Sequence, residues 1–66
     1  SGDAARIEIF DAAGRRVRGY SVEGAANHPL VWDLRNDRGD RVAAGMYILR
    51  AQHARQTFLK RFVVVQ

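Results

Sequence analysis

Apolar and polar residues alternate over residues 6–10, with Ala5, Ile7 and Ile9 on one side and Arg6 and Glu8 on the other. A period of two sends successive side chains to opposite faces, so this stretch reads as a half-buried β-strand. It stops at Asp11-Ala12-Ala13-Gly14. An Asp opening a turn accepts bonds from N–H groups two residues on, and a Gly at the fourth position tolerates positive φ. That pair predicts a tight hairpin turn. Residues 15–22 then form the return strand, with Val17 and either Tyr20 or Val22 toward the core. Gly19 breaks the alternation and marks a bulge or a strand end.

Residues 23–29 combine Gly, Ala, Asn and Pro and read as a loop, with His28 extended because it precedes Pro29. Residues 30–34 alternate again: Leu30, Trp32 and Leu34 share one face, Val31 and Asp33 the other. A tryptophan buries about 150–250 Å². In so short a chain that makes Trp32 the expected centre of the core. Residues 36–40 read as a turn around Asp37 and Gly39, residues 41–44 as a short extended link, and Gly45 as the bend where the chain crosses over.

Residues 46–53 form the next strand, with Tyr47, Leu49 and Ala51 on one face and Met46, Ile48, Arg50 and Gln52 on the other. Ala54-Arg55-Gln56 links it by a short hairpin to a last strand over residues 57–65. There Phe58, Phe62 and Val64 face inward with Lys60 among them, and Leu59, Val63 and Val65 face outward. Apolar residues on both faces imply a covered second face. A bulge near Lys60-Arg61 would let the side chains switch sides. Strand-forming residues between frequent turn signals leave no convincing helix. The expected core is Ile7, Ile9, Val17, Trp32, Val42, Tyr47, Leu49, Phe62 and Val64. The expected turn residues are Asp11, Gly14, Asp37, Gly39 and Gly45.

Sixty-six residues make a single domain over residues 1–66. Such a chain buries only about 60% of its unfolded surface, so it needs good packing, a crosslink, a metal or a partner. There is no cysteine. The net charge is +4, from eleven basic and seven acidic residues, and Lys60 is the single lysine. The bases are spread along the chain, with one cluster at Arg15, Arg16 and Arg18. That spread reads as a solvated arginine-rich surface. No apolar run approaches the roughly 20 residues of a membrane span. Residues 1–5 read as a tag remnant or a truncated first strand, not as a signal peptide.

Candidate chemistry is sparse. Asp33, Asn36, Asp37 and Asp40 crowd one loop, but a calcium loop begun at Asp33 would place Arg35 and Ala44 at ligand positions. Turn formation and surface ion pairs account for these acids better. His28 and His53 have no second ligand at zinc spacing. Ser1 and Ser21 are the only serines, and neither lies in a nucleophile motif. Arg38-Gly39-Asp40 spells an adhesion tripeptide, which an Arg- and Asp-rich turn produces by chance. The aromatics Phe10, Tyr20, Trp32, Tyr47, Phe58 and Phe62 fall mostly on the core face, which disfavours a basic, barrel-like nucleic-acid binder. No catalytic, cofactor-binding or metal-binding residue is assigned, and no cofactor is expected.

Three blocks together form a family pattern. R-I-E-I-F-D-A-A-G-R-R-V-R (residues 6–18) resembles an opening of the form apolar-x-apolar-Tyr/Phe-D-x-x-G-x-x-V. V-W-D-L-R-N-D-R-G-D-R-V-A-A-G-M-Y (residues 31–47) resembles a W-D-G-x-D-x-x-G-x-x-V-x-x-G-x-Y block. R-F-V-V-V-Q (residues 61–66) resembles a terminal K-x-V-V-x-K strand. The chain is similar to Ig-like domains of the FlgD type, named for the flagellar hook-capping protein, and to the related C-terminal sorting domains of the type IX secretion system. The resemblance implies a small all-β, Ig-like antiparallel β-sandwich of about five to seven strands. It implies a non-catalytic module of a larger secreted or surface-attached bacterial protein, acting in secretion and sorting, attachment or assembly. Its partners would be the preceding domain or the secretion machinery. A carbohydrate- or surface-polymer-binding accessory module is the alternative; it would need two or three exposed aromatics aligned on one face, and an exposed Trp32 would favour it.

Two departures stand out. Leu34 replaces the glycine usual after W-D. Family members also carry one or two further strands before residue 6, where this chain has only residues 1–5. A sandwich lacking that strand has an open edge, which predicts a homodimer, a strand exchange or a sheet continued between neighbours.

Overall fold

Four strands carry the chain: β1 (Ala5–Asp11), β2 (Arg16–Val22), β3 (Gly45–His53) and β4 (Gln56–Val64). The structure is a computed structural model and describes residues 4–22 and 31–65. The strands form one antiparallel sheet in the order β2-β1-β3-β4, and there is no helix among the described residues. This is an all-β fold, consistent with a small Ig-like β-sandwich fragment. The strand-forming stretches are those whose apolar residues repeat every second position. Two hairpins, β1–β2 and β3–β4, are joined along β1 and β3.

Register sorts the side chains. Directly opposed residues of an antiparallel pair share a face. Ile9 opposes Arg18 and Leu49, and Tyr47 opposes Phe62. The inner face therefore holds Ile7, Ile9, Tyr20, Tyr47, Leu49, Phe58, Lys60, Phe62 and Val64. The outer face holds Glu8, Phe10, Met46, Ile48, Arg50, Leu59, Arg61 and Val63.

Several expectations change here. Residues 31–34 do not join the sheet as a strand; the only pairing in that region is an isolated bridge between Arg35 and Arg41. The physical reason is at Leu34, whose φ of 63° turns the backbone out of the extended region. Leu30 and the predicted loop 23–29, with His28, lie outside the described residues. The bulge falls between Ile9 and Phe10, where Val17 is the unpaired residue on β2, and not at Gly19. Strand β4 has no bulge near Lys60-Arg61; its pairing with β3 is regular from Gln56 to Val64. Leu59 and Val63 therefore stay on the outer face. The β3–β4 turn is Ala54-Arg55 alone, because Gln56 already pairs with His53.

The core lies between the inner face and the segment that crosses it. Ile9, Val42, Tyr47 and Val64 are buried together, and Val17, Tyr20, Trp32, Leu34 and Phe62 pack against them. Ile9 has no exposed surface. Ile7 and Ala5 are also buried, outside that cluster. Of the other expected core residues, Val17, Trp32, Leu49 and Phe62 are half-buried.

Trp32 sits edge-on to Tyr47 (5.7 Å between ring centroids) and to Phe62 (5.9 Å), and Tyr47 stacks on Phe62 at 6.0 Å. Such ring pairs contribute about 0.5–1.5 kcal/mol each beyond area burial. The indole N–H of Trp32 donates to the Arg35 carbonyl at 3.0 Å. The Tyr47 hydroxyl, near the start of β3, donates back to the Ala43 carbonyl at 2.6 Å. A tyrosine that ties a strand to backbone a few residues upstream is the corner device of Ig-type sandwiches.

Candidate interaction surfaces

The acid-rich loop is a small hairpin built around Asn36. Its side-chain carbonyl accepts from the Arg38 N–H (2.9 Å) and the Asp40 N–H (3.0 Å). Its backbone N–H donates to Asp40 (2.8 Å), and its carbonyl accepts from Gly39 (3.0 Å). Gly39 takes φ of +89°, which its lack of a Cβ permits. The Val42 N–H donates to the Leu34 carbonyl at 2.9 Å and closes the base.

Asp37 was expected as a turn former, and it does sit in the turn. Its bonds, however, go to β2. Its N–H donates to the Val17 carbonyl (3.0 Å), and its Oδ1 accepts the Gly19 N–H (3.1 Å). The guanidinium of Arg16 lies 3.6 Å from its other oxygen, and Arg18 lies 3.9 Å away. The loop thus covers the outer edge of β2. Arg18 adds bonds to the carbonyls of Arg35 (3.1 Å) and Asn36 (3.2 Å). Asp33 accepts the Arg35 N–H at 3.1 Å and faces Arg18 at 3.4 Å.

The carboxylates of Asp33 and Asp37 are therefore tied to backbone and guanidinium groups. Among the described residues no group of three or more His, Cys, Asp or Glu converges as a metal site. Arg38, Gly39 and Asp40 are exposed at the loop tip. At the other turn, Asp11 accepts from the Ala13 N–H (3.0 Å) and the Arg15 N–H (2.9 Å), and its second oxygen pairs with the Arg15 guanidinium at 3.1 Å. The Arg15 backbone bond and the Arg15 charge hold its carboxyl below the ordinary range, against the opposing effect of burial. Gly14 closes that turn onto the Asp11 carbonyl at 2.9 Å, and Gly45 opens β3 at φ +152°.

On the outer face Glu8 is buried, 7% exposed, between two arginines. Arg50 bonds one carboxylate oxygen, and Arg16 lies 3.7 Å from the other. The bond from Arg50 lowers the Glu8 pKa, with further lowering by the charges of Arg50, Arg6 and Arg16; burial acts the opposite way. Arg50 also lies over the Phe10 ring at 5.5 Å. Gly19 belongs to this arrangement. A Cβ there would stand 2.1 Å from the Arg16 guanidinium, so glycine makes room for the arginine that crosses to Glu8. The sequence showed Glu8 only as a polar position on a strand. Its partners become visible once β1 is paired with β3, forty-two residues on in the Glu8–Arg50 bond.

Around this clamp the outer face is apolar and open. Leu59 is 70% exposed, Val63 64% and Met46 49%. Phe58, at the far end of the inner face, is 55% exposed. No described residue covers these groups. Two of the recesses among the described residues bear on ligand binding. One, of about 460 Å³, is lined by charged residues including Asp11, Arg15, Arg16, Asp37 and Arg38. The other, of about 230 Å³, is apolar and lined by Ile9, Trp32, Leu49, Lys60 and Phe62. The first is charged rather than the apolar cleft that small ligands favour, and the second falls below the roughly 300 Å³ at which ligand pockets begin.

An antiparallel sheet crossed by a packed segment and tied by a tyrosine corner defines an Ig-like β module. The FlgD Ig-like domain family matches residues 1–57, and the chain belongs to that family, one of non-catalytic modules. No curated protein and no solved structure matches it. The family match ends at the second residue of β4, so most of that strand lies beyond it.

Proposed function

We propose that this chain is a non-catalytic assembly module of a larger secreted bacterial protein, serving its export and sorting or its attachment at the cell surface. The observation that carries this reading is the FlgD Ig-like match over residues 1–57. The disposition of polar groups supports it. The carboxylates of Glu8, Asp11, Asp33 and Asp37 engage turns, guanidiniums or a strand edge. The partner is protein: the preceding domain, the secretion machinery or a second copy.

The Gly45-Met46-Tyr47 block and the valine-rich end fit the type IX sorting domains as well as the FlgD branch, and they support the sorting role. A carbohydrate-binding role would need aligned exposed rings. Trp32 is instead packed edge-on against Tyr47 and Phe62, and only Phe58 among the aromatics is exposed.

The test is a fusion. A passenger enzyme with an export signal is placed ahead of Ser1 and expressed in a bacterium that has the type IX machinery. The passenger should reach the cell surface or the medium. A passenger that stays in the periplasm, as it does without the module, would overturn the sorting role.

A further inference from the structure

The two edges of the sheet differ. The β2 edge is occupied over Val17–Gly19, where Asp37 donates its N–H to the Val17 carbonyl and accepts the Gly19 N–H at its carboxylate. The β4 edge is not. From Gln56 to Val64 its pairing is with β3 alone, and no described residue bonds its outer side. A regular nine-residue strand with no bulge and no proline is the kind of edge that accepts another strand.

The side chains along β4 say which strand. Phe58 and Phe62 flank Lys60 on the inner face, and Leu59 and Val63 flank Arg61 on the outer face. Phe58, Leu59 and Val63 are more than half exposed. A pairing strand would set apolar residues beside these and acidic residues beside the two cations. A second copy of β4 cannot do so, because β4 contains no carboxylate. In any self-pairing register Lys60 and Arg61 would face a cation, an apolar or a neutral polar residue. The same cations thus guard the edge against its own kind, as edge lysines commonly do, and select for an acidic guest.

We infer that the outer edge of β4 is a docking site for an extended segment of another protein chain whose centre is acidic and whose flanks are apolar. Its pattern is two apolar residues, two acidic residues and two apolar residues, set against Phe62-Val63, Lys60-Arg61 and Phe58-Leu59. Asp37 on the β2 edge already shows a carboxylate in this role. The inference rests on the module reading only for the existence of a partner, and its test does not involve export.

The test uses the whole chain and synthetic peptides. One carries Ile-Val-Asp-Glu-Val-Ile between Ser-Gly flanks; a second replaces the central Asp-Glu with Lys-Lys; a third is the first with alternate amides N-methylated. Binding and amide exchange are followed by NMR. The acidic peptide should protect the outward amides of β4 and bind roughly tenfold or more tighter than the Lys-Lys peptide, with two cross-strand charge pairs reversed in sign. The methylated peptide should not bind.

In the double variant Lys60→Glu, Arg61→Glu, checked for its fold by circular dichroism, the preference should invert. If that variant fails to fold, Lys60→Gln with Arg61→Gln should remove the preference between the two peptides. Equal binding of both peptides to the unaltered chain, or no β4 protection by either, would overturn the inference. So would concentration-dependent protection of β4 without peptide, which would make a second copy the occupant. Binding to vesicles containing phosphatidylglycerol while the acidic peptide fails would also overturn it. None of these results bears on the fusion experiment, which stands or falls separately.

Discussion

Leu34 holds a left-handed backbone, φ 63°, while its side chain packs against the core. The two facts oppose each other. The left-handed conformation costs an L-residue about 1–2 kcal/mol. A fully buried leucine loses about 2–5 kcal/mol when cut to alanine, and a half-buried one loses a fraction of that. Leu34→Gly relieves the first and forfeits the second, so its stability in urea should stay within about 1 kcal/mol of the parent. Leu34→Ala keeps the backbone cost and loses the packing, and should be the less stable of the two. An equal loss in both would show that the backbone at Leu34 carries no strain.

Ala54 has no such compensation. It is exposed, sits first in the two-residue β3–β4 turn and has φ of 57°. Positive φ at the first position alone fits a II′ hairpin, where glycine is preferred. Ala54→Gly should raise stability by about 0.5–1 kcal/mol in urea titration, although glycine also loosens the unfolded chain.

At the scale of elements, the loop around Asn36 and the β2 edge form one unit. Asp37→Ala removes the acceptor for the Gly19 N–H and leaves Arg16 and Arg18 without that carboxylate. It should cost about 1 kcal/mol in a denaturant titration and speed exchange of the Gly19 amide. Asp37→Asn keeps an acceptor and should lie between the two. Unchanged Gly19 exchange in Asp37→Ala would detach the loop from β2.

What the sequence discloses at this scale has a physical limit. The strands β1, β2, β3 and β4 are legible because each keeps a period of two between turn residues. Val42 and Tyr47 are legible as core, whereas Trp32, the expected centre, is half-buried and packs against a core whose fully buried side chain is Ile9. The docking of Asp37 on Val17 and Gly19 is not legible, since it depends on which strand lies at the edge. Nor is the burial of Glu8, which needs Arg50 from β3 and Arg16 from β2. The third strand expected through Trp32 fails for a local reason. Its alternation is genuine, but Leu34 breaks the extended backbone before a ladder can form. The regularity of β4 is likewise not legible: apolar residues on both its faces suggest a bulge, whereas the outer face is one that no described residue covers.

For the molecule as a whole, acid should unmake what the carboxylates hold. Glu8 and Asp11 both have folded pKa values below their ordinary 4.5 and 3.8, chiefly through the Arg50 bond and the Arg15 N–H respectively. The unfolded chain therefore binds protons first as pH falls. Their stabilisation is complete above the ordinary values and declines as pH drops through them toward the lower folded values. Melting temperature should be level from neutral pH to about pH 5 and fall below it. Glu8→Gln, which removes one of these two carboxylates, should flatten part of that fall. A melting temperature that rises on acidification would contradict the role given to both acids.

The central claim is that this FlgD Ig-like module presents a strand edge, and that its two edges are unequal. Amide hydrogen exchange on the dilute chain, resolved residue by residue, tests this directly. The amides of β1 and β3 inside the sheet should exchange slowest. The Gly19 amide should be protected despite lying on an edge strand, because Asp37 holds it. Alternate amides of β4, those pointing away from β3, should exchange nearly as fast as in an unstructured chain. Uniform protection along β4 in the dilute chain, matching that of β1, would mean that the edge is already filled and would contradict the account.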